Sequence, residues 1–365
     1  MSQNLEELTH ALMFAAKKAG ADGVDAMAVK GTSLSIDVRS GSLEQAERSE
    51  GIDIGLRVFC GQRQACVSSS DTSQQTIEAM CERAVAMARE APEDPFAGLA
   101  DETLLSDLRT ADGLELYDTT PEPEPAALQD DAMRAEEAAL RTAGISQVQS
   151  ATAGYSNRQI HISASNGFSG GYERTDRAIS CVAIAGTGSE MERDYDGDSR
   201  IFQADLRDAA DIGNCAAERA VARMGARKPP TGNYPVLFDE RISSTIIGHL
   251  LGAVNGASIA RGSSWLRDAL GQQVLPEDLS LIEDPHRVRV PGSRHFDAEG
   301  LPTKRRAIIE NGVLTGWTLD LANARKLNMA STANAARGTS APPDRNQGYR
   351  RKSRLGFEAS PRRVD

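Results

Sequence analysis

At 365 residues, with 40% hydrophobic and 25% charged side chains, the chain has the makeup of a globular protein long enough for two or three domains. Its net charge of −11 argues against direct nucleic-acid binding, which needs clustered Lys and Arg to neutralise phosphate. No apolar run reaches the ~18–20 residues of a membrane span, and the five cysteines are scattered without a CxxC pair, so neither a disulfide framework nor a thiolate zinc site is expected.

The opening NLEELTHALMFAAKKAG carries acidic residues before its apolar ones. It predicts an amphipathic helix over residues 4–19 rather than a signal peptide, and with unpaired thiols this suits a cytoplasmic protein. Strands follow. Leu34, Ile36 and Val38 alternate with polar residues, as do Ile52, Ile54, Leu56 and Val58, and Gly61-Gln62 turns the chain into Gln64–Ser69. Asp71-Thr-Ser supplies N-cap candidates for a helix whose apolar stripe is Ile77, Met80, Cys81, Ala84 and Ala88.

Residues 91–126, bracketed by APEDP and PEPEP, read as loop or linker. A second unit repeats the pattern without repeating the sequence. It has a helix over Pro125–Thr142, a strand pair at Val148–Tyr155 and Gln159–Ser165, a turn at Asn166-Gly167, a strand at Ala178–Ala185 and a helix from Leu206 to Met224. Glu190–Asp198 is acidic but lacks EF-hand spacing, and reads as a solvated loop. In the third section Tyr234–Phe238 reads as an apolar strand, and Asn311-Gly312 between Arg305–Glu310 and Val313–Thr318 is a hairpin signal. The last 22 residues hold seven basic and three acidic side chains and almost no apolar pattern, which is the composition of a disordered segment. The expected division is 1–112, 113–226, 227–341 and a basic tail, 342–365. The fold class is α+β: antiparallel meanders packed with helices in the N-terminal part, then a β-rich C-terminal domain that reads as incomplete.

The chemistry-bearing candidate is the stretch SSTIIGHLLG, 243–252. On a helical wheel Ile246, Ile247, Leu250, Leu251 and Val254 form a core-facing stripe, and His249 lies about 130° from its centre. A lone histidine there is ordinarily solvated. Zinc needs three or four converging ligands. No HExxH occurs, and no His, Cys, Asp or Glu lies within a turn of His249. His286 and His295 sit nine residues apart in loop-like sequence, with nothing in their spacing to bring them together. Asp297 and Glu299 could line a cleft from one loop, or simply form an acidic turn with Gly300. No GxxxxGK[ST], helix-opening GxGxxG or GxSxG is present, so nucleotide binding and a serine-hydrolase elbow are unsupported.

An ordered set of segments carries a resemblance. RSGSLEQAERSEGIDIGLRVFCGQRQACVSSSD, NGFSGGYERT, PVLFD with its GH-bearing helix, and DAEGLPTKRRAIIENGVLTGWTLDLANARKL resemble the TldD/PmbA family of metallopeptidase-related proteins, over residues 20–340. The catalytic branch of that family resembles HExxxH where this chain has Ser244-Thr245-Ile246-Ile247-Gly248-His249. The resemblance therefore places Ser244 at the first zinc ligand, Thr245 at the general-base glutamate and His249 at the second histidine. A serine hydroxyl is a poor zinc ligand, and threonine cannot take a proton from a metal-bound water. The third ligand of that branch is a cysteine near the C-terminus, beyond the matched residues.

The resemblance thus implies the PmbA/TldE branch: a non-catalytic subunit that binds no cofactor, with zinc supplied by a TldD-like metallopeptidase partner and a peptide as substrate. It implies no direct nucleic-acid or membrane contact and leaves a homo-oligomer open. It also implies further strands after Pro343, so the C-terminal domain reads as truncated. Two other readings stand beside it. One is a protein-binding regulator of the gyrase-modulator type. The other is a self-sufficient hydrolase using His249 with Asp297 or Glu299.

Overall fold

The structure, a computed structural model, describes residues 4–343; nearly all of the basic tail lies outside them. The period-two runs become long strands. β1 (Gly23–Arg39), β2 (Ser42–Cys60) and β3 (Arg63–Ser69) form one meander, and β4 (Ile145–Ala164), β5 (Ser169–Ala185) and β6 (Glu192–Arg200) form another. β1 and β4 pair antiparallel from Asp25↔Ala164 to Val38↔Ala151. The result is one six-stranded antiparallel sheet in the order β3-β2-β1-β4-β5-β6. The two strands expected at 148–155 and 159–165 are therefore one. Ser156, Asn157 and Arg158 between them stay paired to β1 on one side and β5 on the other.

Two helix pairs cover one face of this sheet. α1 (Leu5–Lys18) and α2 (Gln74–Glu90) pack on Val24, Ala26, Ala28, Ile54, Leu56 and Val58. α2 begins where expected, with the Ser73 side chain accepting the Thr76 N–H, and buries its whole predicted stripe. α3 (Pro125–Leu140) and α4 (Ala209–Ala222) pack on Leu34, Ile36, Val38, Ala151, Ala153, Ile179, Cys181 and Ala183. The β1 residues under the two helix pairs, Val24, Ala26 and Ala28 at one end and Leu34, Ile36 and Val38 at the other, are all even-numbered, so both pairs lie on the same side of the sheet. The scarcity of aromatics has a structural counterpart here. The α3–α4 contact is built from Ala, and a Cβ on Gly213 would collide with the Ala135 carbonyl.

The opposite face carries the third section: α5 (Glu240–Ala253), α6 (Gly256–Ala260), β7 (Leu281–Glu283), β8 (Arg306–Glu310), β9 (Val313–Leu314) and α7 (Leu321–Lys326). Its own core gathers Leu250, Leu251, Val254, Ile308, Ile309, Leu314 and Leu319. It meets the sheet where Phe296 packs with Met27, Ile162 and Phe168, and where the Thr339 backbone lies against Gly55. The β8–β9 turn falls on Asn311 and Gly312, both at positive φ, as the hairpin signal requires.

Residues 91–124 are loop, as expected, apart from a 3-10 turn at Glu102–Leu104, and they run along the first half of β5, where Gly171 N–H donates to the Arg109 carbonyl at 2.9 Å and Thr175 N–H to that of Leu116 at 3.1 Å. Two local expectations are overturned. Glu190–Asp198 is not a solvated loop, because most of it is edge strand β6. Its inward positions Asp194, Asp196 and Asp198 are buried and ion-paired by Arg241, Arg219, Arg207 and Arg200 at 2.6–3.0 Å. Inward charges of this kind blunt an edge strand against further pairing. Tyr234–Phe238 is not a strand: no described strand pairs with it, and Leu237 is 98% exposed.

Candidate functional site

α5 begins at an Asp239 cap, which accepts the Arg241 N–H at 3.0 Å. Arg241 then ties the helix start to the edge of the sheet. Its guanidinium reaches Asp194 at 2.8 Å and the Tyr195 carbonyl at 2.9 Å, and lies over the Tyr195 ring. Only the second half of the expected apolar stripe is core. Leu250, Leu251 and Val254 are buried, Ile247 is half-buried, and Ile246 is 43% exposed because no described element covers the first two turns.

Ser244, Thr245 and His249 all lie on the exposed surface of this helix. The Ser244 hydroxyl donates to the Arg241 carbonyl at 3.1 Å, a back-bond within the helix. Among the described residues no three His, Cys, Asp or Glu side chains gather where a metal could be held. Positions 244, 245 and 249 offer one imidazole and two hydroxyls, and hydroxyls are not among the Cys, His and carboxylate donors that zinc ordinarily takes.

Asp297 and Glu299, read as either cleft-lining groups or an acidic turn with Gly300, are buried, and Gly300 does lie at φ 80°. Asp297 is 1% exposed. Its Oδ1 accepts the Glu299 and Leu301 N–H groups at 2.9 and 3.0 Å, and its Oδ2 accepts that of Ala335 at 3.1 Å. Glu299 accepts the Leu321 N–H at 2.9 Å, at the start of α7. These carboxylates satisfy backbone amides and hold a loop, α7 and the 335 segment together. Burial raises Asp297 to about 6, against the pull of its three amides. Burial, followed by the neighbouring Asp297 charge, raises Glu299 to about 8. Neither can meet His249 across an open cleft, which removes the geometric basis for a hydrolase built on that pairing.

A second buried group was not foreseen. Asp25 on β1 faces Arg57 on β2, and Arg337 from the last section closes the triad; all three are buried. A signal was present in the sequence. Asp25 and Arg57 are single charges inside the apolar runs GVDAMAV and IGLRVF, at facing positions of consecutive strands. Nothing local could have indicated Arg337. Beside it, Glu283, Arg306 and Asn334 form a further buried network at 2.6–3.0 Å. On the sheet's outer edge a groove of about 690 Å³ runs beside β6, lined by Gln149, Val182, Met191, Arg193, Tyr195 and Arg223 among others.

A long antiparallel sheet with two helix pairs on one face and a third section docked on the other through buried ion pairs defines a protein of the α+β class. The chain belongs to the PmbA/TldD family. Residues 24–88, 118–224 and 231–348 match, in order, the PmbA/TldA metallopeptidase domain 1, the central domain and the C-terminal domain. The chain is 34% identical over 333 residues to the metalloprotease PmbA of Escherichia coli, a span of 90% of this chain and 72% of that one. A Bacteroides thetaiotaomicron protein named as a modulator of DNA gyrase superposes with a TM-score of 0.85 at 25% identity, covering 92% of this chain and 76% of the other. TldE from Thermococcus kodakarensis shares the fold, with a TM-score of 0.73 at 18% identity, covering 96% and 76%. No helix among the described residues is long and apolar enough to cross a membrane.

Proposed function

We propose that this chain is the non-catalytic, TldE-type subunit of a peptide-processing metallopeptidase assembly, in which a TldD-like partner supplies the zinc chemistry. The observation that carries this reading is the helix surface at 244–249. One exposed imidazole stands there beside two hydroxyls, and one of those hydroxyls is bonded back to the helix. Such a surface cannot hold and activate a hydrolytic water without further ligands. A role in association is supported by the exposed apolar run Val236, Leu237, Phe238, Ile242 and Ile246, since contiguous patches of this kind mark contact surfaces.

The test is peptide hydrolysis by the purified chain alone and after mixing with a TldD-like subunit. The isolated chain is expected to be inactive at any metal concentration, with cleavage appearing on mixing. Metal-dependent cleavage by the isolated chain that is lost in His249→Ala would overturn the proposal. Metal uptake alone is not the readout.

A further inference from the structure

Two of the chain's five histidines meet in the third section. His286 and His295, nine residues apart in loops, have ring centroids 5.4 Å apart and planes inclined at 44°. The backbone brings them there: Arg294 N–H donates to the Pro285 carbonyl at 2.8 Å, and Thr303 N–H donates to the His295 carbonyl at 3.0 Å.

Each ring is fixed through Nε2. His295 Nε2 lies 2.9 Å from the Asp112 carbonyl, and a carbonyl only accepts, so this nitrogen carries the hydrogen. His286 Nε2 lies 3.0 Å from the Thr303 hydroxyl. That hydroxyl directs its single hydrogen to the Arg294 carbonyl at 2.6 Å, so it accepts from the ring. Both imidazoles are therefore Nε2–H tautomers, and each keeps an unshared electron pair on Nδ1. Nδ1 of His295 is shielded from solvent and has no hydrogen-bond partner. A buried acceptor left without a partner is uncommon and asks for a ligand.

Metal-bound histidines usually give their other ring N–H to a carbonyl or similar acceptor, as both rings do here. Two imidazoles sharing a tetrahedral zinc at normal Zn–N distances have centroids about 5 Å apart. We propose that His286 and His295 hold a divalent transition-metal ion, of the Zn²⁺ class, through their Nδ1 atoms. No third His, Cys, Asp or Glu among the described residues joins them. The ion would therefore keep positions for water or an incoming ligand, and would bind in the micromolar rather than the nanomolar range. It would tie the 286 and 295 ends of this loop together, beside the Asp112 carbonyl that already holds His295. The proposal does not depend on the functional reading above, and the residues differ from Ser244, Thr245 and His249.

The experiment is calorimetric titration of the full chain with Zn²⁺ in a non-chelating buffer. One ion per chain is expected, weakened at least tenfold by His286→Gln or by His295→Gln and unchanged by His249→Ala. Long-range ¹H–¹⁵N spectra of the unaltered chain give a readout that needs no variant. Two histidines should report Nε2–H tautomers, and both Nδ1 signals should move on adding Zn²⁺. No uptake at sub-millimolar Zn²⁺, uptake that persists in the double variant, or uptake with both Nδ1 signals unmoved would overturn the proposal.

Discussion

Arg57 donates two hydrogen bonds to one oxygen of Asp25, from Nε at 3.1 Å and from Nη2 at 2.7 Å, while Arg337 takes the other oxygen. The carboxylate thus joins two neighbouring strands to a segment more than 300 residues away in the chain. Asp25→Ala would leave two buried guanidiniums without the carboxylate they share. The expected loss is about 3–5 kcal/mol in urea denaturation. The 333–343 segment should also become sensitive to protease, which a purely local defect in the sheet would not produce.

Gly55 tests the same contact sterically. A Cβ there would run into the Thr339 backbone, which cannot retreat as a flexible side-chain tip could. Gly55→Ala is expected to cost about 1–3 kcal/mol by overpacking and to loosen the same segment. Gly41, where a Cβ would meet nothing, lies at φ 69°. Gly41→Ala there should cost about 1 kcal/mol from backbone strain alone and leave the segment protected.

Stability should depend on pH through Asp297 and Glu299. Both are raised by burial, to about 6 and about 8. The folded chain therefore holds protons that the unfolded chain releases. Their contribution is whole below about pH 4 and is lost as pH rises through those folded values. Glu299→Gln keeps an acceptor for the Leu321 N–H and removes the larger shift. It should flatten the fall in stability between about pH 5 and pH 8 in urea titrations. At the acid end the sign reverses. Burial alone would push Asp194 and Asp196 up, but hydrogen bonds and charge from Arg241, Arg207 and Arg219 hold both below the usual carboxylate range. Their contribution is lost as pH falls through those lowered values.

The α5 surface gives a negative expectation. Ser244→Ala, Thr245→Ala and His249→Ala, singly or together, should change peptide cleavage by the mixed assembly by less than about twofold, because these groups are exposed and hold no reacting atom. They should cost no more than about 0.5 kcal/mol in thermal unfolding.

The apolar run should matter for association instead. Leu237→Asp with Phe238→Ser replaces two exposed side chains, so stability should stay within about 0.5 kcal/mol. Binding to a TldD-like subunit, measured by calorimetry, should weaken at least tenfold. Unchanged affinity would remove the patch from the proposed interface.

Periodicity and punctuation were legible. The α2 stripe, the alternation in β1 and β2, and the Asn311-Gly312 turn each follow from local preference, and tertiary contacts agree with them. β6 was not legible, because its inward face is aspartate. Only arginines from α4, α5 and the loop just before α4 make those positions interior. The burial of the Asp297–Glu299 loop was hidden for a related reason. Acidic residues beside a glycine fit a cleft or a turn equally well until buried amides from residues 321 and 335 are brought to them.

From the sequence alone came the identities of Ser244, Thr245 and His249 on one helical stretch, because ligand chemistry belongs to side-chain identity and no packing can alter it. Tertiary structure alone decided which charges are interior, that β1 and β4 join two meanders into one sheet, and that His286 meets His295. Those outcomes rest on long-range pairing and desolvation, whose energies depend on what faces each residue across the fold, and neighbouring residues in the chain carry no record of it.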